Sequence, residues 1–282
     1  MNSCSKGIEI RRCRPLLGTF VEITATGADE CRLQSAVNAA FAAVENIQKL
    51  MSVHDADSEL SQLNREAASH PVTVSRETFD VLRRADKLAA ASDGAFDYTI
   101  APLLARWGIL PAPLKRKKFG SWRDVLLLRG RKVYFLQPLA LDLGGIAKGF
   151  AVDKAIETLR KHGVGIAVVN AGGDLRVLGK EPSWIHLRHP ACPQLFADKI
   201  QLSNAALATS SPCFTERNWR GRRVSHLVDS ARRIAVAGAV SVTVRAQECW
   251  LADALTKVVL NAPDLARKLL AKHHAEAFVM NP

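Results

Sequence analysis

Nowhere in its 282 residues does the chain carry a run of about 18 apolar residues, the minimum a membrane-spanning helix needs. Its opening stretch, MNSCSKGIEIRRCRP, has no apolar core of the signal-peptide kind, so Cys4 does not read as a lipoprotein cysteine and a cytoplasmic location is expected. The six cysteines, Cys4, Cys13, Cys31, Cys192, Cys213 and Cys249, form no C-x-x-C pair. That disfavours a zinc site and a disulfide framework alike and leaves them as reduced thiols. No repeat or low-complexity tract is present. The most glycine-rich turn, GGIAKG at 144 to 149, has neither the G-K-[ST] ending of a P-loop nor the G-x-G-x-x-G of a dinucleotide fold.

With 48% hydrophobic residues the chain can bury a large core, as one domain or two closely joined lobes. Its net charge of +12 calls for an anionic partner, and the basic residues concentrate in LKRKKFG at 114 to 120 and RNWRGRRVSH at 217 to 226. Solvated loops carry such runs too, and a nucleic-acid-binding protein is the competing class.

Strand-like alternation in GTFVEITATG (18 to 27) precedes a helical pattern from Asp29 to Leu50, with apolar positions at Ala36, Ala40, Ala43, Val44 and Ile47. A polar loop, MSVHDADSELSQLN, comes next, in which Ser58 and Ser61 suit helix caps. A second helix is expected over Ser75 to Ser92, closed by Asp93-Gly94. Periodicity leaves AFDYTIAPLLARWG (95 to 108) open between buried loop and helix. Residues 110 to 138 read as a surface excursion leading to a hairpin that includes KVYFL. VGIAVVNAGGDLRVLG gives two strands around an Asn170–Asp174 turn, LATSSPCF, VSHLVDS and VSVTVRA give short strands, and ECWLADALTKVVL gives a helix. Irregular alternation of hairpins and helices suggests an α+β fold.

The stretch LDLGGIAKGFAVDKAIETL (141 to 159) is the most suggestive. Leu139, Leu141 and Leu143 alternate as in a strand, and Val152, Ala155, Ile156 and Leu159 line one helix face. Gly144, Gly145 and Gly149 lie between, where missing Cβ atoms let a ligand approach the backbone. A helix start favours an anion, and Lys148 adds a point charge, so a phosphate is the natural guest. A turn serving only chain reversal would look the same.

The order of the short motifs along the chain resembles the FAD:protein FMN transferases, the ApbE family. The likeness rests on RPLLGTFVEI (14 to 23), Met51-Ser52 with SELSQLN (58 to 64), FDYTIAPLL (96 to 104) before Trp107-Gly108, LDLGGIAKGFAVD (141 to 153), NAGGDLRVLG (170 to 179), ATS (208 to 210), HLVD (226 to 229), SVTV (241 to 244) and ADAL (252 to 255). It implies one domain over 14 to 282 after a short extension at 1 to 13, built of mixed, largely antiparallel sheets packed with helices. It also implies a magnesium-dependent transferase that cleaves FAD, joins FMN by a phosphoester to a threonine or serine of a target flavoprotein, and releases AMP. A relative that binds FAD and at most hydrolyses it is the nearest alternative.

By the same resemblance, Met51 and the segment with Ala95, Phe96, Asp97 and Thr99 pack around the isoalloxazine or adenine, and Asp142 sits at the flavin site. Lys148 and His226 face the phosphates. The Gly145 carbonyl, the Asp253 carboxylate and a following hydroxyl bind the Mg2+, with His226, Lys148 and Asp253 as the catalytic set. Where the family usually has threonine four residues after that aspartate, Lys257 stands here, with Thr256 one position earlier. Either Thr256 supplies the oxygen while Lys257 points away, the favoured expectation, or Lys257 lies against the phosphates and does part of the cation's work. The glycine that follows ATS in the family is Ser211, and its D-P-[RT]-T-G is Asp229-Ser230-Ala231-Arg232-Arg233.

Overall fold

The computed structural model describes residues 7–192 and 194–281, so Cys4 lies outside the described residues. Seven strands form an antiparallel meander whose spatial order follows chain order: β1 (Ile8–Leu16), β2 (Thr19–Gly27), β3 (Ile166–Ala171), β4 (Asp174–Leu178), β5 (Ala206–Ser210), β6 (Ser241–Ala246) and β7 (Glu276–Met280). The expected domain start at residue 14 falls within β1, where Ile8 to Cys13 pair with Gly27 to Glu22.

One face of this sheet is covered by α1 (Glu30–Met51), α5 (Ala147–Lys161) and α6 (Cys249–Asn261). Burial explains the match of pattern to layer. Val21, Ile23 and Ala25 alternate inward from β2, and Ala36, Ala40, Val44 and Ile47 form the α1 stripe that meets them. Across the other face a hairpin of Ser183–Arg188 with Phe196–Leu202 packs Leu187 and Leu202 on Leu175, Val177 and Leu207, so β4 is buried on both sides.

The remaining helices are α2 (Glu59–Glu66), α3 (Arg76–Ala91), α4 (Ala101–Arg106) and α7 (Pro263–Lys272). Ser58 caps α2 by accepting from the Ser61 amide, while Ser61 lies inside that helix. The open stretch 95 to 108 resolves into an irregular, bent loop followed by the six-residue α4. Its neighbour Trp107 joins Ile109, Leu110, Leu114, Val224 and Val228 in a satellite core. The expected hairpin is Val125–Leu128 with Lys132–Phe135.

One expectation fails: Leu139 to Leu143 is not a strand. Its backbone partners are not those of a sheet. The Asn64 side chain, buried in α2, donates to the Leu141 carbonyl (3.0 Å) and accepts from the Leu141 amide (2.7 Å). The Asp142 amide donates to the Tyr98 carbonyl at 2.8 Å. One side-chain amide thus replaces the ladder and fixes the segment that leads into the glycine turn.

Asn64→Ala removes both Leu141 partners inside the core and is expected to cost about 2–4 kcal/mol, since each orphaned buried polar group costs about 1–3 kcal/mol. Calorimetric melting checks this, with a fall in Tm of roughly 5–15 °C expected for a chain this size.

Candidate active site

In an antiparallel meander every other connection falls at the same end. Here the β1–β2 turn, the β3–β4 turn and the C-terminal end of β5 meet there, and with the end of α1 they wall a cavity of about 730 Å3. That size lies within the usual range of small-molecule sites. The β1–β2 turn is tight: Leu17 and Gly18 both have positive φ (56° and 70°), and the Leu17 amide donates to Gln48 of α1. The β3–β4 turn requires glycine as well, because a Cβ on Gly172 would sit 2.5 Å from Thr19 Oγ1.

The remaining walls come from loops. Met51, Phe96, Asp142, Lys148 and His226 all line the cavity, as do Ala95, Asp97 and Gly145. Thr99 does not: its amide and hydroxyl both donate to Asp97 Oδ1 at 2.8 Å, so it holds that carboxylate in place and lines a neighbouring smaller cavity. Asn261, at the end of α6, donates to the Ala95 and Val228 carbonyls (2.9 and 2.8 Å) and ties the two loops together. Its Oδ1 is buried without a protein partner among the described residues. No motif pointed to Asn261.

Below the cavity floor lies a cluster of buried charge. Lys148 is paired with Asp174 of β4, and Lys257 with Asp253 of α6; both carboxylates are almost fully buried. Burial pushes Asp253 up, but the ammonium groups of Lys257 and Lys148 outweigh it and hold the carboxyl below its ordinary value. Lys148 moves the other way to its own burial, which alone would lower it: Asp174 and Asp253 raise it, so it stays an ammonium. Burial raises Asp142, opposed by the Gly144 amide, which donates to it at 3.1 Å, and by His54 and Lys257. Burial lowers His226, and Arg217, His54 and Lys148 lower it further, so its imidazole is neutral at pH 7.

The glycines divide by cause. Gly149 lies inside α5, where a Cβ would come within 2.4 Å of the Cys249 carbonyl oxygen, so it serves helix packing and not ligand approach. Its amide, which a bound anion would use, donates to Asp253 Oδ2 at 3.3 Å. At Gly145 a Cβ would be in ordinary van der Waals contact with Lys257 Cε and Phe96 Cε2, both at 3.4 Å.

A model of the ApbE family matches residues 17–279. The chain belongs to the ApbE family. It is 29% identical over 274 residues to the FAD:protein FMN transferase of Vibrio cholerae serotype O1, covering 89% of this chain and 81% of that protein. The crystal structure of the ApbE protein of Thermotoga maritima superposes with a TM-score of 0.85 at 26% identity, over 96% of this chain and 94% of that one. The flavin transferase ApbE of Vibrio cholerae gives 0.80 at 25% identity, over 97% and 93%. The α+β fold of helices on antiparallel sheets is therefore the ApbE fold.

Of the magnesium donors expected from family likeness, the two side chains, Asp253 and Thr256, are engaged by protein partners. Both Asp253 oxygens are engaged, Oδ1 by the Lys257 ammonium and Oδ2 by the Gly149 amide. The Thr256 hydroxyl, fully buried, donates to the Asp253 carbonyl at 2.6 Å and bonds Ser210 Oγ at 2.7 Å. It does not line the cavity, contrary to the favoured expectation, because at three residues from Asp253 it falls on the face of α6 turned to β5. Among the described residues no group of three or more His, Cys, Asp or Glu could hold a metal ion. This donor set does not fit the oxygen cage of a hard divalent cation.

Gly149→Ala is expected to lower stability by about 3 kcal/mol or more, because rigid backbone meets the new methyl. Gly145→Ala meets nothing closer than 3.4 Å and is expected to stay within about 1 kcal/mol of the wild type. Thermal denaturation of the two variants compares them directly.

Proposed function

We propose that the protein is an FAD:protein FMN transferase, binding FAD in the 730 Å3 cavity and esterifying its FMN half to a threonine or serine hydroxyl of a target flavoprotein. The observation that carries this reading is the convergence of residues from distant segments, Met51, Ala95 to Asp97, Asp142, Lys148 and His226, on one cavity at the sheet end. FAD suits the lining: apolar Met51, Phe96 and Ile100 offer surface for a ring system, and Lys148 offers charge for the phosphates. Asn261 Oδ1 is an acceptor without a protein partner on the same wall.

In the reaction the acceptor oxygen attacks the phosphorus of the FMN half, the bond to the bridging oxygen breaks, and AMP leaves with that oxygen. Neutral His226 takes the hydroxyl proton, a role its lowered pKa permits at pH 7. Lys148 stabilises the charge that builds on the phosphoryl oxygens, and Asp174 beneath holds its ammonium in position. Family likeness adds magnesium to this scheme, but no step here is assigned to it. An FAD-hydrolysing relative would release free FMN instead. Apart from His226 and Arg217, which lowers its pKa, the basic runs carry no part of the scheme, and no helix among the described residues is long and apolar enough to cross a membrane.

Mass spectrometry of a serine- or threonine-bearing acceptor domain incubated with FAD tests the reading: the domain gains the mass of FMN, and free FMN with an unchanged domain supports hydrolysis. His226→Ala is expected to slow transfer by roughly 10²–10⁴-fold, the usual share of general acid–base catalysis, with FAD still bound. Acidification should silence the wild type only below the ordinary imidazole value of about 6.5. The sign follows from burial: the fold favours neutral imidazole, so His226 protonates later on acidification than a free histidine and its protonation opposes folding. Proton NMR titration of His226 and the pH profile of transfer should share one inflection.

A further inference from the structure

The ion pair between Lys257 and Asp253 engages the carboxylate that family likeness would offer to a divalent ion. Lys257 follows Asp253 by one helical turn on α6, so its stem returns along the same helix face to the carboxylate it neutralises. An ammonium carries three donors. Two are used by Asp253, one on Oδ1 and one on the main-chain carbonyl at 3.0 Å. The third has no protein partner among the described residues, and Lys257 lines the cavity beside Gly145 and Asp142. Its side chain is 18% exposed, so the charge is largely desolvated and yet reaches the cavity. The stem runs beside the backbone of Gly145, where a Cβ would be in ordinary contact with Lys257 Cε at 3.4 Å.

Charge balance leads to the same place. The two carboxylates of the floor, Asp174 and Asp253, are matched one to one by Lys148 and Lys257. The two other carboxylates that line the cavity, Asp142, which accepts from the Gly144 amide, and Asp97, which accepts from Thr99, are both raised by burial, which favours their neutral forms. A dication added to this balanced floor would meet an ammonium within a few ångströms, a costly neighbour away from bulk water. A dianionic pyrophosphate would instead meet two ammonium groups already fixed by buried partners.

We propose that Lys257 is a tethered cation that grips the pyrophosphate of FAD in place of a divalent ion, so that this chain binds FAD without added metal. The proposal rests on the flavin-transfer reading and concerns how that site handles phosphate charge. Asp253 is then a positioning residue: it orients the ammonium and is not a metal ligand. Thr256 belongs to the same design, its hydroxyl turned inward to lock α6 onto β5 through Ser210.

Calorimetric titration of the wild-type chain with FAD, in EDTA and in excess MgCl2, is the first measurement. FAD is expected to bind with affinities that agree within about twofold, since no ion joins the complex. Mn2+ added to the FAD-loaded protein should stay free by electron paramagnetic resonance. In EDTA, Lys257→Met keeps the stem and removes the charge, and should weaken FAD binding by about tenfold or more, as the loss of one charged hydrogen bond predicts. Lys257→Arg should recover most of the loss, and riboflavin, which lacks phosphate, should bind wild type and Lys257→Met alike. A tenfold gain in wild-type FAD affinity on adding Mg2+, a stoichiometric bound Mn2+ signal, or full FAD affinity in Lys257→Met overturns the tethered cation and leaves the flavin reading standing. Failure of the wild type to bind FAD in either buffer overturns the flavin reading and this proposal with it. The two wild-type arms decide the question even if Lys257→Met does not fold.

Discussion

The layout of the site depends on one buried carboxylate. Asp153, in the middle of α5, accepts from the Cys249 and Trp250 amides at 3.0 and 2.9 Å and from Arg176 Nη1 at 2.6 Å. It thereby caps the start of α6 from a neighbouring helix and joins both helices to β4. Burial pushes its carboxyl up to about 6, against the pull of Arg176 and the two amides. The cap sets where α6 begins relative to α5, and that offset places Asp253 one turn on, against the Gly149 amide. Gly149 completes the arrangement, since only a residue without a side chain lets the two backbones approach this closely. The order Gly149, Asp153, Arg176, Cys249, Asp253 is thus one mechanical chain from helix to sheet to cavity floor.

Above that chain the protein treats charge in two ways. On the floor, buried ions are paired so that neither member is left alone, which is the arrangement that limits the cost of removing them from water. At the rim, His226 stays neutral, lowered by burial and by Arg217 of the arginine-rich stretch. A cationic rim over a neutralised floor favours an anionic guest without holding a strong charge of either sign in reserve.

Much of this was legible in the sequence where a local rule governs. The α1 stripe, the Ser58 cap of α2 and the Asn170–Asp174 turn follow from periodicity, capping chemistry and turn glycines, and they stand as expected. The order of motifs gave the cavity walls at Met51, Ala95 to Asp97, Asp142, Lys148 and His226. What local rules miss is set by tertiary partners. The Leu139 to Leu143 alternation resembles a strand, but Asn64, 77 residues from Leu141, supplies its hydrogen bonds. Gly149 looked like part of a ligand turn because the carbonyl that excludes a side chain there lies in α6. Thr256 and Lys257 differ by one position, about 100° around a helix, and only the packing of α6 on β5 decides which faces the cavity. The short strand of the outer hairpin, Ser183–Arg188, has one face in water and carries exposed Trp184, so its apolar pattern is weak.

The meander also separates the molecule's two ends. Connections at 163 to 165, at 179 to 182 and near 203 lie at the end remote from the cavity, and they brace one another: Ser203 Oγ donates to the Lys180 carbonyl at 2.8 Å, and Gly179 abuts Gly165. Chemistry is confined to one set of turns and mechanical closure to the other. A change in the loops of the remote end therefore bears on how the sheet is closed and leaves the cavity walls, which come from the other set of turns, in place.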